Sequence, residues 1–394
     1  MTELKRVAIV GSARIPFARG GTAYADETNL SMLATTLGGL ADKYGLKGEK
    51  VDEVIAGAVI NHSRDFNIAR EALLDAGLSP RTPGTTLQIA CGTSLQAALV
   101  LAGKIASGQI ESGIAAGSDT VSDSPIVFGS KFQHRLLSAN AAKTTGAKLQ
   151  AFTKGFSFGE LTPVAPSVNE PRTGMSMGQH CELMAREWGI SRRAQDELAV
   201  ASHQNAAKAY DEGFHDDLLV QCAGLVRDNN VRADSNLDKM STLKPAFDKS
   251  SGHGTLTAGR VAGNDFAHGE GLLMAPTIAV SEMLQRAGLG FADIDYFELH
   301  EAFAAQVLCT LKAWKDPTYC KDVLGRDAVL GDIDPAKINV KGSSLAYGHP
   351  FAATGARILG VTAKLLSEQA NKRALISVCT AGGMGVAALV ESAA

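Results

Sequence analysis

One local plan is written twice in this chain: an extended apolar run, a polar elbow, then a helix rich in small residues. It occupies residues 87–105 and again residues 338–366. Such a duplication predicts two similar units packed about a pseudo-twofold axis, with chemistry where the two elbows meet. A chain of 394 residues is long enough for two to three domains with well-filled cores. Strands expected at 7–10, 51–59, 112–117 and 294–299 alternate with helices at 30–44, 69–76 and 277–287. Each unit is therefore expected to be a layered α/β structure. Between about 122 and 248 the strand signals fade and Pro163, Pro166 and Pro171 punctuate the chain. Helices at 175–188 and 191–211, the second capped by Ser191, mark a mostly helical insertion. The expected organisation is 1–121 plus 249–275 for the first unit, 122–248 for the insertion and 276–394 for the second unit.

Composition removes several functional classes. Net charge is −3, with 45% hydrophobic and 20% charged residues, which gives no overall argument for nucleic acid. No apolar run reaches membrane-spanning length. Residues 6–11 read as a first strand rather than a targeting peptide. Six cysteines without CxxC or Cys/His ligand spacing argue against a disulfide framework or a metal site, and favour a reducing cytoplasm.

Four segments have the residue types of catalytic loops. In the first elbow the apolar run 87–90 ends on Cys91, and a helix is expected to start at once and to close near Gly108. Free N–H groups and the helix dipole at such an elbow favour a thiolate. The ordinary alternative is a buried cysteine packed as a small hydrophobe. His300 ends a strand in Glu298-Leu299-His300-Glu301-Ala302-Phe303, and His349 precedes a helix that Pro350 would open. Cys379 stands at the mouth of a hairpin whose turn, Ala381-Gly382-Gly383, leaves backbone N–H groups free. Singly, each has a plain reading: a capping histidine, a turn histidine, a core cysteine with glycines for positive φ.

Together the segments QIACGTSLQA (88–97), HEAFAAQ (300–306), GHPFAATGARIL (348–359) and CTAGGMGVA (379–387) resemble the thiolases, in order and end to end. The resemblance implies duplicated α/β domains in five layers (αβαβα), with the insertion as a loop domain that caps coenzyme A. It implies Cys91 as the acylated nucleophile, His349 as its base and Cys379 as the acid/base toward the second substrate. His300 and His349 would line an enolate pocket, and the backbone N–H groups of Cys91 and Ala381 a second oxyanion pocket. Met177, Phe303 and Ala262 fall at substrate or coenzyme A positions. Ala262 stands where a hydroxyl is usual, and Ala381 replaces a common glycine while keeping its N–H. Coenzyme A is then a substrate, no cofactor or metal is held, and a homodimer or dimer of dimers is expected.

The chemistry suits those roles. Cleaving a 3-ketoacyl thioester needs a nucleophile that forms an acyl-enzyme, a base, and preorganised donors for two oxyanions. The histidine of HEAF resembles the β subunit of the trifunctional fatty-acid oxidation complex, as do residues 136–146 and 152–158. No acidic residue lies between Asp123 and Glu160, whereas Lys131, Arg135, Lys143, Lys148 and Lys154 do, among Phe132, Leu137, Leu149, Phe152 and Phe158. That pattern reads either as a solvated cover over an acyl tunnel or as a docking face at 130–160, for a hydratase/dehydrogenase subunit or an anionic membrane. Competing functions are a 3-ketoacyl synthase, which needs no second cysteine, an acetoacetyl-CoA-forming thiolase, and an idle coenzyme A binder.

Overall fold

The computed structural model describes residues 4–164, 166–167, 169–243 and 271–393. In the first unit, strands Gly84–Thr86, Glu53–Gly57 and Gly113–Gly117 form a parallel sheet in that spatial order. Alternation along the central strand decides what covers each face. Val54 and Ala56 join Leu33, Leu37, Ala69 and Leu73 from helices Asn29–Tyr44 and Ile68–Asp75. Ile55 points the other way, onto Ala97 and Leu101 of helix Thr93–Ala106.

The second unit repeats the scheme. Strand Tyr296–Leu299 pairs in parallel with Arg373–Thr380, which continues antiparallel into Met384–Glu391. Ile338 bridges to Phe297 on the other side, in the place Gly84–Thr86 takes in the first unit. Phe297, Leu299 and Leu375 face helices Ala275–Ala287 and Ala304–Ala313 through Val280, Leu284, Val307 and Trp314. Ile376 and Val378 face Ile358 of helix Thr354–Ser367.

The two elbow helices meet at the centre. Leu95 lies in one buried cluster with Ile358, Ile376 and Val378. Gly355 permits the approach, since a Cβ there would stand 2.6 Å from the Leu95 nitrogen. Helix, sheet, paired elbow helices, sheet, helix make the five layers that the resemblance implies.

Local chemistry explains most boundaries. Ser191 caps Arg192–Asp211 by accepting from the Ala194 N–H, and Gly108, at φ +76, follows the first elbow helix. Residues 7–10, expected as a strand, join no described strand, and Val10 is 88% exposed. An apolar run needs a ladder partner to become a strand, and the Glu53–Gly57 strand already has both neighbours. The expected return of the chain at 249–270, with Ala262, lies outside the described residues.

The insertion divides in two. Helices Met177–Glu187 and Arg192–Asp211 pack on Ala304–Ala313 of the second unit, and Arg192–Asp211 also on Ser344–Tyr347. Helices Ser130–Ala141 and Thr145–Thr153 form a separate hairpin closed by strands Val127–Phe128 and Pro163–Val164. Arg135 is its centre. It bonds both Glu160 carboxylate oxygens at 3.0 and 3.1 Å and the carbonyls of Ala151, Phe152, Lys154 and Gly155.

Candidate active site

The elbows bring four side chains into one unbroken chain of contacts. Cys91 Sγ lies 3.0 Å from His349 Nε2, and His349 Nδ1 lies 3.2 Å from His300 Nε2. His300 Nδ1 lies 3.5 Å from Cys379 Sγ. His349 Nδ1 also lies 2.6 Å from Thr354 Oγ1. With a hydrogen on that Nδ1, Nε2 is left free to accept the Cys91 proton. All four side chains are buried except at the rim of His349. A proton can therefore pass between either sulfur and an imidazole without entering bulk solvent.

Each member is placed by its local structure. Cys91 follows Ala90, a non-glycine residue at φ +45, which turns the sulfur out of the strand direction. The N–H groups of Gly92 and Thr93 are spent on the carbonyls of Ile89 and Ala90, so the helix end is not aimed at the sulfur. The N–H groups of Ala381 and of Cys91 itself favour the thiolate, yet burial outweighs them and pushes the thiol up to about 12. The stabilisation comes from the Ala381 and Cys91 N–H groups and not from the helix end, and burial disfavours the charged form until a base takes the proton. Burial and the nearby Arg357 guanidinium push His349 down to about 3, so it rests neutral and able to accept. Burial, then the neighbouring His349, lowers His300 in the same sense. Burial also holds the Cys379 thiol well above its ordinary range.

His300 extends strand Tyr296–Leu299 by one rung, its N–H donating to the Ser377 carbonyl at 2.8 Å. The next residue, Glu301, is fully buried and ties the two histidine segments together. It accepts from Ser202 Oγ at 2.6 Å, Asn339 Nδ2 at 2.7 Å and the Leu345 N–H at 3.2 Å. Tyr347, two residues before His349, is buried against His215 Nε2 at 2.8 Å and sits beneath the Arg14 guanidinium. Arg14 is in turn held by Asp228 through two 2.7 Å bonds. Asp119 accepts from Val59, Ile60 and Ala352 N–H groups, fastening the second elbow to the first unit. Burial raises its carboxyl to about 6. Asn339, Arg14 and Asp119 do not stand out by sequence alone, because their partners are remote, and Thr354 reads as one more small residue of its helix. Glu301 is the one with a signal, a charged residue inside an otherwise apolar motif.

Of the other expected positions, Met177 is buried at the start of its helix. Phe303 is fully buried in the cluster that holds Cys379, Cys181 and Met184, so it packs against the sulfur from within the core. Gln306 Oε1 lies 3.7 Å from Cys379 Sγ.

The thiolase N-terminal domain model matches residues 7–267 and the thiolase C-terminal domain model residues 255–392. This chain belongs to the thiolase family. The family fold and acyltransferase class follow. Curated relatives include 3-ketoacyl-CoA thiolases of Yersinia pestis (strain Pestoides F) and Yersinia pseudotuberculosis (serotype O:3, strain YPIII), each 36% identical over 422 residues. Those alignments cover 98% of this thiolase and 97% of each relative. Their span exceeds the 394 residues of this chain, so the relatives carry residues without a counterpart in it. Among solved structures, a Bacillus anthracis acetyl-CoA acetyltransferase superposes with TM-score 0.80 at 26% identity, covering 99% of this chain and 100% of that one. A human mitochondrial 3-ketoacyl-CoA thiolase in complex with CoA superposes with TM-score 0.77 at 23% identity, covering 98% and 97%, and speaks to the fold.

Proposed function

We propose that this thiolase cleaves 3-ketoacyl-CoA with coenzyme A in fatty-acid β-oxidation, through an acyl-Cys91 intermediate. The observation that carries the reading is the contact chain Cys91–His349–His300–Cys379. Cys91 Sγ attacks the 3-keto carbon as His349 Nε2 takes its proton. The Cα–Cβ bond breaks, and its electron pair becomes the enolate of acetyl-CoA. His300 and His349 hydrogen-bond the enolate oxygen, and the Cys379 S–H protonates its carbon. The Cys379 thiolate then takes the thiol proton of incoming coenzyme A, whose sulfur attacks the acyl-Cys91 carbonyl. The Cys91 and Ala381 N–H groups receive that second oxyanion, a donor pair of a kind whose single loss costs roughly 10²–10³ in rate. Collapse releases acyl-CoA, and Cys91 regains its proton from His349. Met177, at the head of its helix, serves substrate binding, whereas Phe303, fully buried in the cluster with Cys379, supports the pocket from the core and does not reach substrate. Six free cysteines, two of them reactive, suit a reducing cytoplasm.

Release of acetyl-CoA from a series of 3-ketoacyl-CoA esters, short to long, tests the reading. No release at any length, with the protein folded, overturns it.

The helical hairpin 130–161 serves docking, to a partner subunit or an anionic membrane. Phe158 is 84% exposed and Leu137 and Leu149 are 65% exposed, beside the exposed Lys131, Lys143, Lys148 and Lys154. Arg135, spent on Glu160 and carbonyls, holds the hairpin together and is not part of that face. Changing Lys143, Lys148 and Lys154 together to Gln is expected to weaken salt-sensitive association and leave short-substrate turnover unchanged. A rise in short-substrate KM with no association in the unaltered protein would place the hairpin at the coenzyme A site instead.

A further inference from the structure

Near the two histidines lies a pair of buried ionisable groups that the reaction steps above do not use. Glu298 precedes His300 by two residues, so strand alternation sends both side chains to one side of the sheet. It is 1% exposed, and neither carboxyl oxygen has a hydrogen-bond partner. Arg357, on the elbow helix Thr354–Ser367, is 3% exposed. It spends Nη2 on Ser344 Oγ at 2.9 Å and Ser343 Oγ at 3.3 Å, while Nε and Nη1 have no hydrogen-bond partner among the described residues. A buried polar group without a partner is costly, so two ionisable groups of opposite type left open in the same part of the interior call for a reason.

The other charged and titratable groups packed around them are satisfied locally. Glu301 accepts three hydrogen bonds, Arg14 is paired with Asp228, and Tyr347 bonds His215 and the Lys341 carbonyl. His300, His349, Cys91 and Cys379 belong to the contact chain, and Asp119 holds its three N–H donors. That leaves Glu298 and Arg357, whose guanidinium also lies 5.5 Å from the Tyr347 ring centroid, interacting electrostatically with each other, and Arg357 with both histidines. The Arg357 cation opposes protonation of both His300 and His349.

We propose that Glu298 and Arg357 are positioning residues that set the basicity of His349, acting through its charge and not by touching substrate. The proposal rests on the reading of Cys91 as nucleophile and His349 as its base. When His349 takes the Cys91 proton it becomes an imidazolium in the field of a guanidinium. An ionised Glu298 offsets that field; a protonated one does not. Burial raises the Glu298 carboxyl to about 8, Arg357 opposing the rise, so the compensation comes in as pH climbs through that value.

The test is the rate of Cys91 acylation by acetyl-CoA against pH in the full chain, read by mass at the Cys91 peptide, in wild type and Glu298→Gln. The amide keeps the shape and mimics the protonated acid. The wild-type rate is expected to exceed the variant's about tenfold at pH 9, one pKa unit's worth, and to match it within about twofold at pH 6.5. A merely structural defect would give the same ratio at every pH, and a constant ratio, including one of unity, overturns the proposal. Arg357→Gln supplies the opposite sign and decides the matter should Glu298→Gln fail to fold. It is expected to acylate faster than wild type at pH 6.5; an equal or slower rate contradicts the proposal. A wild-type protein that never acylates Cys91 removes the nucleophile reading itself, and the proposal with it.

Discussion

The two reactive cysteines are built differently. Cys91 sits between the duplicated units. Its histidine arrives from the other unit at 3.0 Å, and two backbone N–H groups stabilise its charged form. Cys379 lies within the second unit, 3.5 Å from His300, in a cluster with Phe303, Met184 and Cys181. A sulfur with a base at hydrogen-bond distance and donors around it can carry charge and then a tetrahedral adduct. A sulfur in an apolar cluster, with only His300 and the accepting Gln306 Oε1 beside it, keeps its proton until a carbanion or thiol exchanges it. In the proposed reaction, similar burial with different neighbours makes one sulfur the nucleophile and the other the acid/base.

The sharpest way to break that contrast is to remove each sulfur. Cys91→Ala is expected to abolish thiolysis, by about 10⁴-fold or more, with an unchanged melting temperature, because a methyl fills the small buried space. Cys379→Ala is expected to lose about 10³-fold of turnover. It should also lose exchange of deuterium from solvent into the methyl of acetyl-CoA, which reports enolate formation. Retained exchange would mean that Cys379 is not the acid/base.

The histidines sharpen the comparison at smaller scale. His349→Asn removes the base for Cys91 and one enolate donor together, so kcat/KM should fall about 10³-fold. His300→Asn keeps an amide N–H in the pocket and should cost about tenfold, the order of one weakened hydrogen bond to a charged group. Equal losses in the two variants would mean that the histidines share one task.

Much of this arrangement can be read along the chain. Ser191 and Gly108 mark helix ends by chemistry local to them, and Cys91, His300, His349 and Cys379 each sit at the end or mouth of a strand or helix. What cannot be read is whatever depends on remote partners. Glu301 needs Ser202 and Asn339 to show its purpose, and Arg14 needs Asp228, 214 residues away. Arg135 looks like one more cation on a basic face until Glu160 and four carbonyls close around it. The run at 7–10 has the right residues for a strand, but composition does not supply a ladder partner. The donors expected at the first elbow differ for a related reason, since the Gly92 and Thr93 N–H groups are spent on Ile89 and Ala90 and the Ala381 N–H comes from a remote segment.

The central claim is that the two sulfurs divide the reaction, and the most direct test is where an acyl group lands. Wild type and Cys379→Ala are each mixed with acetyl-CoA, quenched, digested and weighed peptide by peptide. The account predicts an acetyl group on the Cys91 peptide in both proteins and none on the Cys379 peptide of wild type. Slower formation of the Cys91 adduct in Cys379→Ala is expected, because Cys379 protonates the departing coenzyme A thiolate in this half-reaction. Acetyl on the Cys379 peptide, or an unacetylated Cys91 peptide in wild type, would contradict the account.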